Sequence, residues 1–332
     1  MMKSVGAADI LTRDEIRAFT RRSNLAGALA ITWSWLVIAG CFAALALVPH
    51  PPVFVGAVVL LGGRQLALAV AMHEAAHGTL FRTRWCNDVL TDWLCARPVW
   101  SDTARYREHH LGHHAHTGTE RDPDLGLALA EPMTRRSLRR KILRDLVGLS
   151  GLRRIVGLLA IDAEILVYDV GGSPRRAPRR SRGYHLRALA INIWKPILAN
   201  AVVFGVLAAA GHAWVYSAWV VAYLTVFSLV IRVRSLAEHA VTARTDDQLR
   251  NTRTTHANLL ARMTFAPLHV NYHLEHHLLP TVPWWRLPAL HRALRQRDAL
   301  PSTSLARGYL HVLQLVTTRA AVGPAARPAG QK

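Results

Sequence analysis

Cysteine and acidic residues are both scarce in this sequence of 332 residues. There are three cysteines, Cys41, Cys86 and Cys95, and they form no CxxC pair. An iron–sulfur cluster needs about four thiolates, so the chain cannot carry one by itself. Lys and Arg number 41 against 21 Asp and Glu, a net charge of +20, yet no basic motif is interleaved with aromatic residues. The surplus therefore favours anionic lipid head groups, an acidic redox protein or a phosphate-bearing substrate over nucleic acid.

Charged residues are nearly absent from four apolar runs, each close to the roughly 20 residues that cross the hydrocarbon core of a bilayer. The runs are residues 25–48, 53–72, 188–210 and 213–231. The connections within each pair, residues 49–52 and 211–212, are short enough to be exposed turns on one side of a membrane. The sequence therefore predicts four transmembrane helices in two hairpins.

The positions of the basic residues predict the orientation of these helices. Of the 41 Lys and Arg residues, only Arg64 and Lys195 lie within residues 24–72 or 188–231. By the positive-inside rule, the N-terminal segment, the central connection and the C-terminal region are cytoplasmic. All of the 18 histidines except His50 and His212 share that side. We therefore expect a multi-pass protein, of a bacterial inner membrane, with its active site on the cytoplasmic side.

Eight of the histidines form three short clusters, HEAAH at 73–77, HLGHH at 110–114 and HLEHH at 273–277. Helical residues four apart share a face with their Cβ atoms about 6 Å apart, so such pairs can bind one metal ion together. His239 lies eight residues past the fourth apolar run, about 12 Å along a continued helix, and reaches the same height. The pattern predicts a metal site on the rim of a membrane protein. Imidazole binds zinc, copper and iron alike, so the spacing leaves the metal open.

These motifs resemble those of the membrane fatty acid desaturase family. The matching features are HxxxH after the second apolar run, HxxHH followed by Thr117, and the late NYHLEHH motif at 271–277 with Pro280 behind it. The stretch GTERDPD at 118–124 is similar to members that act on acyl lipids and to carotenoid ketolases. The resemblance covers about residues 67–291 and implies a non-haem enzyme with two iron ions, which uses O₂ and two electrons to attack an unactivated C–H bond. Residue by residue, the implied metal ligands are His73, His77, His110, His113, His114, His239, His273, His276 and His277.

Some nearby residues depart from this pattern or extend it. Some relatives place an Asn that holds a metal-bound water four residues before the ninth histidine, whereas this chain has Ser235. His109 and His116 crowd the second cluster without matching the family pattern, so we do not predict them as ligands. Carboxylates beside the clusters are candidates to accept the second N–H of a ligand imidazole. They are Glu74, Glu108, Glu238, Glu275, Asp122 and Asp124.

The remaining segments carry local expectations. A capping box at 12–15 predicts a short helix over 13–22 along the inner surface. Residues 145–170 are expected to form an interfacial helix, and 171–181 a basic linker. Trp214, Tyr216 and Trp219 suit an aromatic belt on the outer side, and Trp284 and Trp285 suit the inner interface. Buried at membrane depth, Arg64 would either end a substrate tunnel or pair with Gln65 or a backbone carbonyl.

Taken together, these features predict an all-α membrane protein, with four transmembrane helices in two hairpins and a cytoplasmic helical cap carrying a histidine-rich dimetal site. The expected divisions are an N-terminal interfacial segment at 1–24, the membrane domain with its cap at 25–320, and a disordered tail at 321–332. The resemblance implies an O₂-dependent diiron desaturase of acyl lipids that takes electrons from a separate acidic ferredoxin or cytochrome b5-like donor.

Two other functions stay open at this point. The first is hydroxylation or ketolation of an acyl chain or a carotenoid by the same metal centre. The long central connection at 125–187 favours the desaturase over the compact ketolases. The second is a non-catalytic or hydrolytic zinc membrane protein, such as a receptor-like hydrolase, but nine histidines exceed what one four-coordinate zinc ion needs.

Overall fold

The computed structural model describes residues 5–124, 126, 132–170 and 175–318, and this part of the chain is mainly helical. The α-helices are α1 (Ala7–Ile10), α2 (Arg13–Phe19), α3 (Asn24–Leu47), α4 (Pro51–Ala76), α5 (Thr103–His116), α6 (Arg135–Leu146), α7 (Leu149–Asp162), α8 (Arg182–Ala209), α9 (Tyr216–Leu224), α10 (Val226–His239), α11 (Leu259–Met263), α12 (His273–Leu278), α13 (Leu287–Gln296) and α14 (Tyr309–Thr318). Short π-helical and 3-10 turns are Cys86–Leu90, Asp92–Ala96, Arg97–Val99, Ala213–Val215, Pro267–His269, Trp284–Arg286 and Ser302–Ser304. Two short strands, β1 (Thr254–Thr255) and β2 (Leu305–Ala306), pair in parallel.

Four long helices are apolar enough to cross a membrane, as the sequence predicts. They are Asn24–Leu47, Pro51–Ala76, Arg182–Ala209 and Ala213–His239, the last of which comprises a 3-10 turn, α9 and α10. Pro51 begins the second helix, where a missing backbone N–H costs nothing. The second and fourth helices extend beyond the predicted apolar runs, so that they carry His73 and His239 at or near their ends.

The main hydrophobic core lies between the first, second and fourth long helices, where side chains such as Ile38, Leu61 and Val230 are almost fully buried. The third long helix, α8, is different, since only three of its 28 residues are buried, namely Ala188, Pro196 and Asn200. Large apolar side chains such as Trp194 and Phe204 point outward from it. An apolar outer face suits contact with lipid chains.

The fourth long helix is broken at Thr225, whose φ and ψ angles are −106° and −84°. Such a break leaves carbonyl groups without their usual helical partner. Arg154 of α7 supplies a donor here, because its guanidinium donates to the carbonyl oxygen of Tyr223 at 2.5 Å and to the hydroxyl of Ser228 at 3.0 Å. Packing is close, since a Cβ on Gly151 would lie 2.2 Å from the carbonyl oxygen of Leu224.

The expected single helix over residues 145–170 is wrong. The chain forms two helices there, α6 and α7, separated at Gly148, whose φ of 83° favours glycine. Helix α7 ends at Asp162, and Leu166 then forms a bridge with Arg176. The break lets Asp145, at the end of α6, turn inward, where it is fully buried and pairs with Arg232 at 2.5 Å.

The aromatic residues at the start of the fourth helix do not all face outward. Trp214 is 46% exposed, as expected for a belt residue, but Trp219 is only 2% exposed. Trp219 stacks on Trp35 and donates from Nε1 to Oδ1 of Asn200 at 3.1 Å. The belt prediction is therefore wrong for Trp219, because five residues of helix turn its side chain to the opposite face from Trp214.

Near the N-terminus, the predicted capping box is confirmed. The Glu15 N–H donates to the Thr12 hydroxyl, and the Thr12 N–H donates to the Glu15 carboxylate at 2.9 Å. The helix ends at Phe19 and not at residue 22. Leu11, just before it, is buried in a second apolar cluster with Leu290 and Leu294 of α13, so this segment contacts the C-terminal region of the protein.

Arg64 pairs with backbone carbonyls, which was one of its two expected roles. It is 3% exposed within the second long helix and donates to the carbonyl oxygens of Met263 at 2.7 Å and Arg262 at 3.3 Å. It does not line the cavity beside the histidines, so the structure gives no support to a role at the end of a substrate tunnel.

Two predicted segments lie wholly or partly outside the described residues. They are the tail at 321–332 and residues 171–174 of the linker.

Candidate metal centre

The nine predicted ligands come together from four separate parts of the chain. The end of α4 supplies His73 and, one residue beyond it, His77. Helix α5 supplies His110, His113 and His114, α10 supplies His239 as its last residue, and α12 supplies His273, His276 and His277. Seven of the nine side chains are buried, and His77 and His114 are half-buried.

The histidines form two adjacent groups. In the first, one ring nitrogen from each of five residues lies within 4.8 Å of all the others; its members are His73, His77, His110, His114 and His276. The second contains His113, His239 and His277, and His273 joins it because its Nε2 lies 2.8 Å from Nε2 of His239. The rings of His114 and His277 stack at 4.1 Å and connect the two groups.

The ring nitrogens fit a metal site. Nε2 atoms face one another at 3.1 Å between His110 and His114 and at 3.0 Å between His114 and His276. Other buried ring nitrogens have no hydrogen-bond partner, among them both nitrogens of His73 and Nε2 of His77 and His277. A buried polar atom without a partner costs about 1–3 kcal/mol. Lone pairs that converge in this way would be satisfied together by bound metal ions.

The surroundings of six predicted ligands favour the neutral imidazole, which is the metal-binding form. Burial lowers the pKa of His77 to about 3, helped by the positive charge of Arg107. Burial is also the largest cause in five other ligands outside the long helices, followed in each by the charge of a neighbouring histidine. It holds the pKa well below the usual range in His110, His114, His273, His276 and His277.

Three of the six candidate carboxylates lie close to a predicted ligand. Asp122 is 2.7 Å from Nδ1 of His113, a hydrogen bond that fixes the tautomer and leaves Nε2 free for a metal. Glu74 lies 3.5 Å from Nδ1 of its neighbour His73. Glu238 lies 3.6 Å from Nδ1 of His273.

The other three carboxylates make their closest contacts elsewhere. Glu275 is fully buried, but it contacts Nδ1 of His291 at 2.5 Å and the hydroxyl of Thr254, not a predicted ligand. Glu108 is exposed. Asp124 pairs mainly with Nε2 of His109, at 2.8 Å, and lies 3.9 Å from Nδ1 of His113.

His109 lies outside both histidine groups, as expected from its lack of a family match. Its Nε2 is 2.8 Å from Asp124, and these two residues form a separate group with Asp169. Burial opposes the charged form of His109, but the hydrogen bond and charge of Asp124 outweigh it, so the pKa of His109 is raised. His109 and His116 both line a polar cavity of about 550 Å³ on the far side of α5.

Sequence reasoning missed two contacts of the centre. Tyr106 stacks on His110 with ring centroids 5.0 Å apart. The four-residue spacing on α5 could have identified it, since such residues share a helix face. The backbone N–H of Trp284 donates to the Glu74 carboxylate at 3.0 Å, a contact across 210 residues that no local pattern reveals.

A cavity of about 220 Å³ opens beside the histidines. His110, His113, His239 and His273 line it at one end, together with Ser235. Its apolar wall comes from the second and fourth long helices and includes Leu66, Ala69, Met72, Phe227 and Ile231. The arrangement can hold an aliphatic group next to the two histidine groups.

Comparison with known proteins agrees with this combination of long apolar helices and clustered histidines. The fatty acid desaturase family model matches residues 49–308, and the chain belongs to that family. A curated relative is the dihydrorhizobitoxine desaturase of Bradyrhizobium elkanii. It is 30% identical over 286 residues, which cover 83% of this chain and 76% of the relative. The protein is therefore a desaturase-like oxidoreductase.

Proposed function

We propose that the protein is an O₂-dependent diiron desaturase that introduces a double bond into an acyl chain. The observation that carries this proposal is the pair of adjacent histidine groups, of five and four members, in a chain of the desaturase family. More imidazoles converge than one six-coordinate ion accepts, which supports two metal ions.

Each group would hold one iron. When bound, the iron pair would activate O₂, which is the oxidant, for attack on an unactivated C–H bond. The protein's own residues position the reactants. Asp122 fixes the tautomer of His113, and the apolar wall formed by Leu66, Ala69 and Phe227 holds the aliphatic chain and excludes water.

The reaction balances with an external electron donor. The substrate gives two hydrogens, the donor two electrons and the solvent two protons, and O₂ leaves as two waters. With three cysteines, the chain has no iron–sulfur cluster of its own to supply the electrons. The strong positive charge of the chain favours an acidic ferredoxin or a cytochrome b5-like donor.

In this proposal, the four long helices span a bacterial inner membrane as two hairpins. The histidine-bearing segments form a cap on the cytoplasmic side, where the positive-inside rule puts the basic segments. Donor and metal centre then share one compartment.

Expression in a host that lacks the activity, followed by mass spectrometry of total lipids and pigments, tests the reaction. Loss of the mass of two hydrogens from an acyl chain is expected. A gain of the mass of one oxygen, or a change confined to carotenoids, would instead show hydroxylation or ketolation. Metal analysis after expression in iron-replete cells tests the cofactor, and stoichiometric zinc without iron would rule out the diiron centre.

A further inference from the structure

The cavity beside the histidines follows one face of the fourth long helix. Tyr223, Phe227, Ile231 and Glu238 line it at spacings of four, four and seven residues. His239 lies at its upper end. At about 1.5 Å per residue, Phe227 and His239 are roughly 18 Å apart along the helix axis.

Arg154 lines the lower end of this cavity. Its guanidinium lies over the rings of Tyr223 and Phe227, 4.5 and 4.7 Å from their centroids. Besides the two hydrogen bonds to Ser228 and the Tyr223 carbonyl, it makes no hydrogen bond with the described residues, and its buried Nε has no partner. An arginine has five N–H groups, so donors remain for a ligand.

The charge of Arg154 is not compensated within the described part of the chain. Arg234, the other cation that lines the cavity, pairs with Glu238 at 2.6 Å. Asp124, which also lines it, pairs with His109 at 2.8 Å. All the partners of Arg154 are neutral. Arg154 is half-buried beside the apolar wall of the cavity, and a cation in such a place is stabilised by an anion brought by a ligand.

We propose that Arg154 binds the carboxylate of the substrate, so that the substrate is an aliphatic chain with a free carboxylate in place of an esterified acyl lipid. This rests on the proposed function for the reaction itself. The planar guanidinium matches a carboxylate in shape and charge. Two hydrogen bonds and two aromatic rings already hold the guanidinium in place, so less side-chain conformational entropy is lost when the carboxylate binds.

The same geometry fixes the distance between the bound carboxylate and the carbons that lie beside the histidines. An extended chain advances about 1.2 Å per bond, since a peptide residue of three bonds spans at most about 3.6 Å. A carboxylate at Arg154 therefore places carbons on the order of ten to fifteen bonds away beside the histidines. The double bond should keep a constant distance from the carboxyl end when the substrate chain is lengthened.

Calorimetric titration of the full-length iron-loaded protein in lipid nanodiscs tests the carboxylate site. The probes are hexadecanoic acid and its methyl ester, which share the aliphatic chain and differ in charge. We expect the acid to bind at least tenfold more tightly than the ester. Equal affinities would overturn the proposal, and because this comparison uses the unmodified protein, it needs no variant to fold.

Variants of α7 assign the preference to one side chain. Arg154→Gln should remove the difference between acid and ester, whereas Arg153→Gln, at the exposed neighbouring position, should retain it. Arg154→Lys keeps the charge without the planar fork, so it should retain part of the preference. A preference that persists in a folded Arg154→Gln protein would contradict the assignment.

Product analysis separates this inference from the proposed function. If the acid binds preferentially but no double bond forms with O₂ and a reductant, the proposed reaction fails and the carboxylate site stands. If a double bond forms while acid and ester bind equally, the carboxylate site fails and the reaction stands. A double bond at a constant distance from the methyl end would also contradict the fixed distance from the carboxylate.

Discussion

The division of the histidines into groups of five and four predicts how much iron a single substitution removes. His239 belongs to the second group, with its Nε2 2.8 Å from His273 and its ring 4.9 Å from the ring of His113. His239→Ala leaves three imidazoles in that group and all five in the first. Iron content after a wash with chelator should therefore fall from about two ions per chain to about one, with loss of turnover.

His109→Ala is the matched control for this experiment. Like His239, His109 has a largely buried side chain. It lies on α5, its ring nitrogen pairs with Asp124, and it belongs to neither histidine group. Its removal should leave about two irons and much of the turnover. Iron is measured by mass spectrometry on folded, monodisperse protein. If the His239 variant keeps both irons while the His109 variant loses one, the ligand assignment is wrong.

Three further predictions follow from other contacts. Asp122→Asn should weaken metal binding by about 10–100-fold in a metal titration, because a hydrogen bond that orients the ligand His113 is altered. The control Glu108→Gln, at an exposed carboxylate, should leave the metal affinity unchanged. If the Asp122→Asn variant binds metal as tightly as the unmodified protein, the role of Asp122 is refuted. Gly63→Ala should lower the thermal stability, by about 1–3 kcal/mol, because the new Cβ would lie 2.3 Å from the Met263 carbonyl oxygen. Gly56→Ala places its Cβ in open space and should not lower the stability. Equal melting temperatures for the two variants would contradict the close packing at Gly63. Turnover with an acidic donor should fall as salt rises, since docking to a basic surface is screened over about 10 Å at 0.1 M; a rate independent of salt would remove the electrostatic part of the proposal.

Local patterns in the sequence predicted the features that depend on a single helix. The apolar runs located the four long helices, because burial in lipid requires continuous apolar side chains. The third helix begins six residues before its predicted run, and the fourth ends eight residues after its run. Histidine pairs four apart also share a group: His110 with His114 in the first, and His273 with His277 in the second. That spacing reflects helix geometry and can be read without a structure.

Features that depend on distant contacts could not be read in this way. Glu275 stands next to a predicted ligand in the sequence, but neighbouring helical residues point in different directions, and it contacts His291 instead. The burial of Trp219 depends on Asn200, which comes from another helix. The break at Thr225 carries no proline, and the donor that compensates it, Arg154, comes from α7.

The pairing of Arg64 has a consequence for how the chain enters the membrane. Its carbonyl acceptors lie 198 and 199 residues further along the chain. At about 5–20 residues per second, they are synthesised on the order of 10–40 s after Arg64. An unpaired arginine near the centre of a helix costs about 2.5–3.5 kcal/mol during insertion. On insertion into a bilayer, the second long helix would therefore carry an unfavourable charge, and it would become stable late, when the C-terminal region arrives. Pulse-labelled chains that are truncated before residue 260 should insert this helix less completely than full-length chains, and equal insertion would show that the delay has no effect.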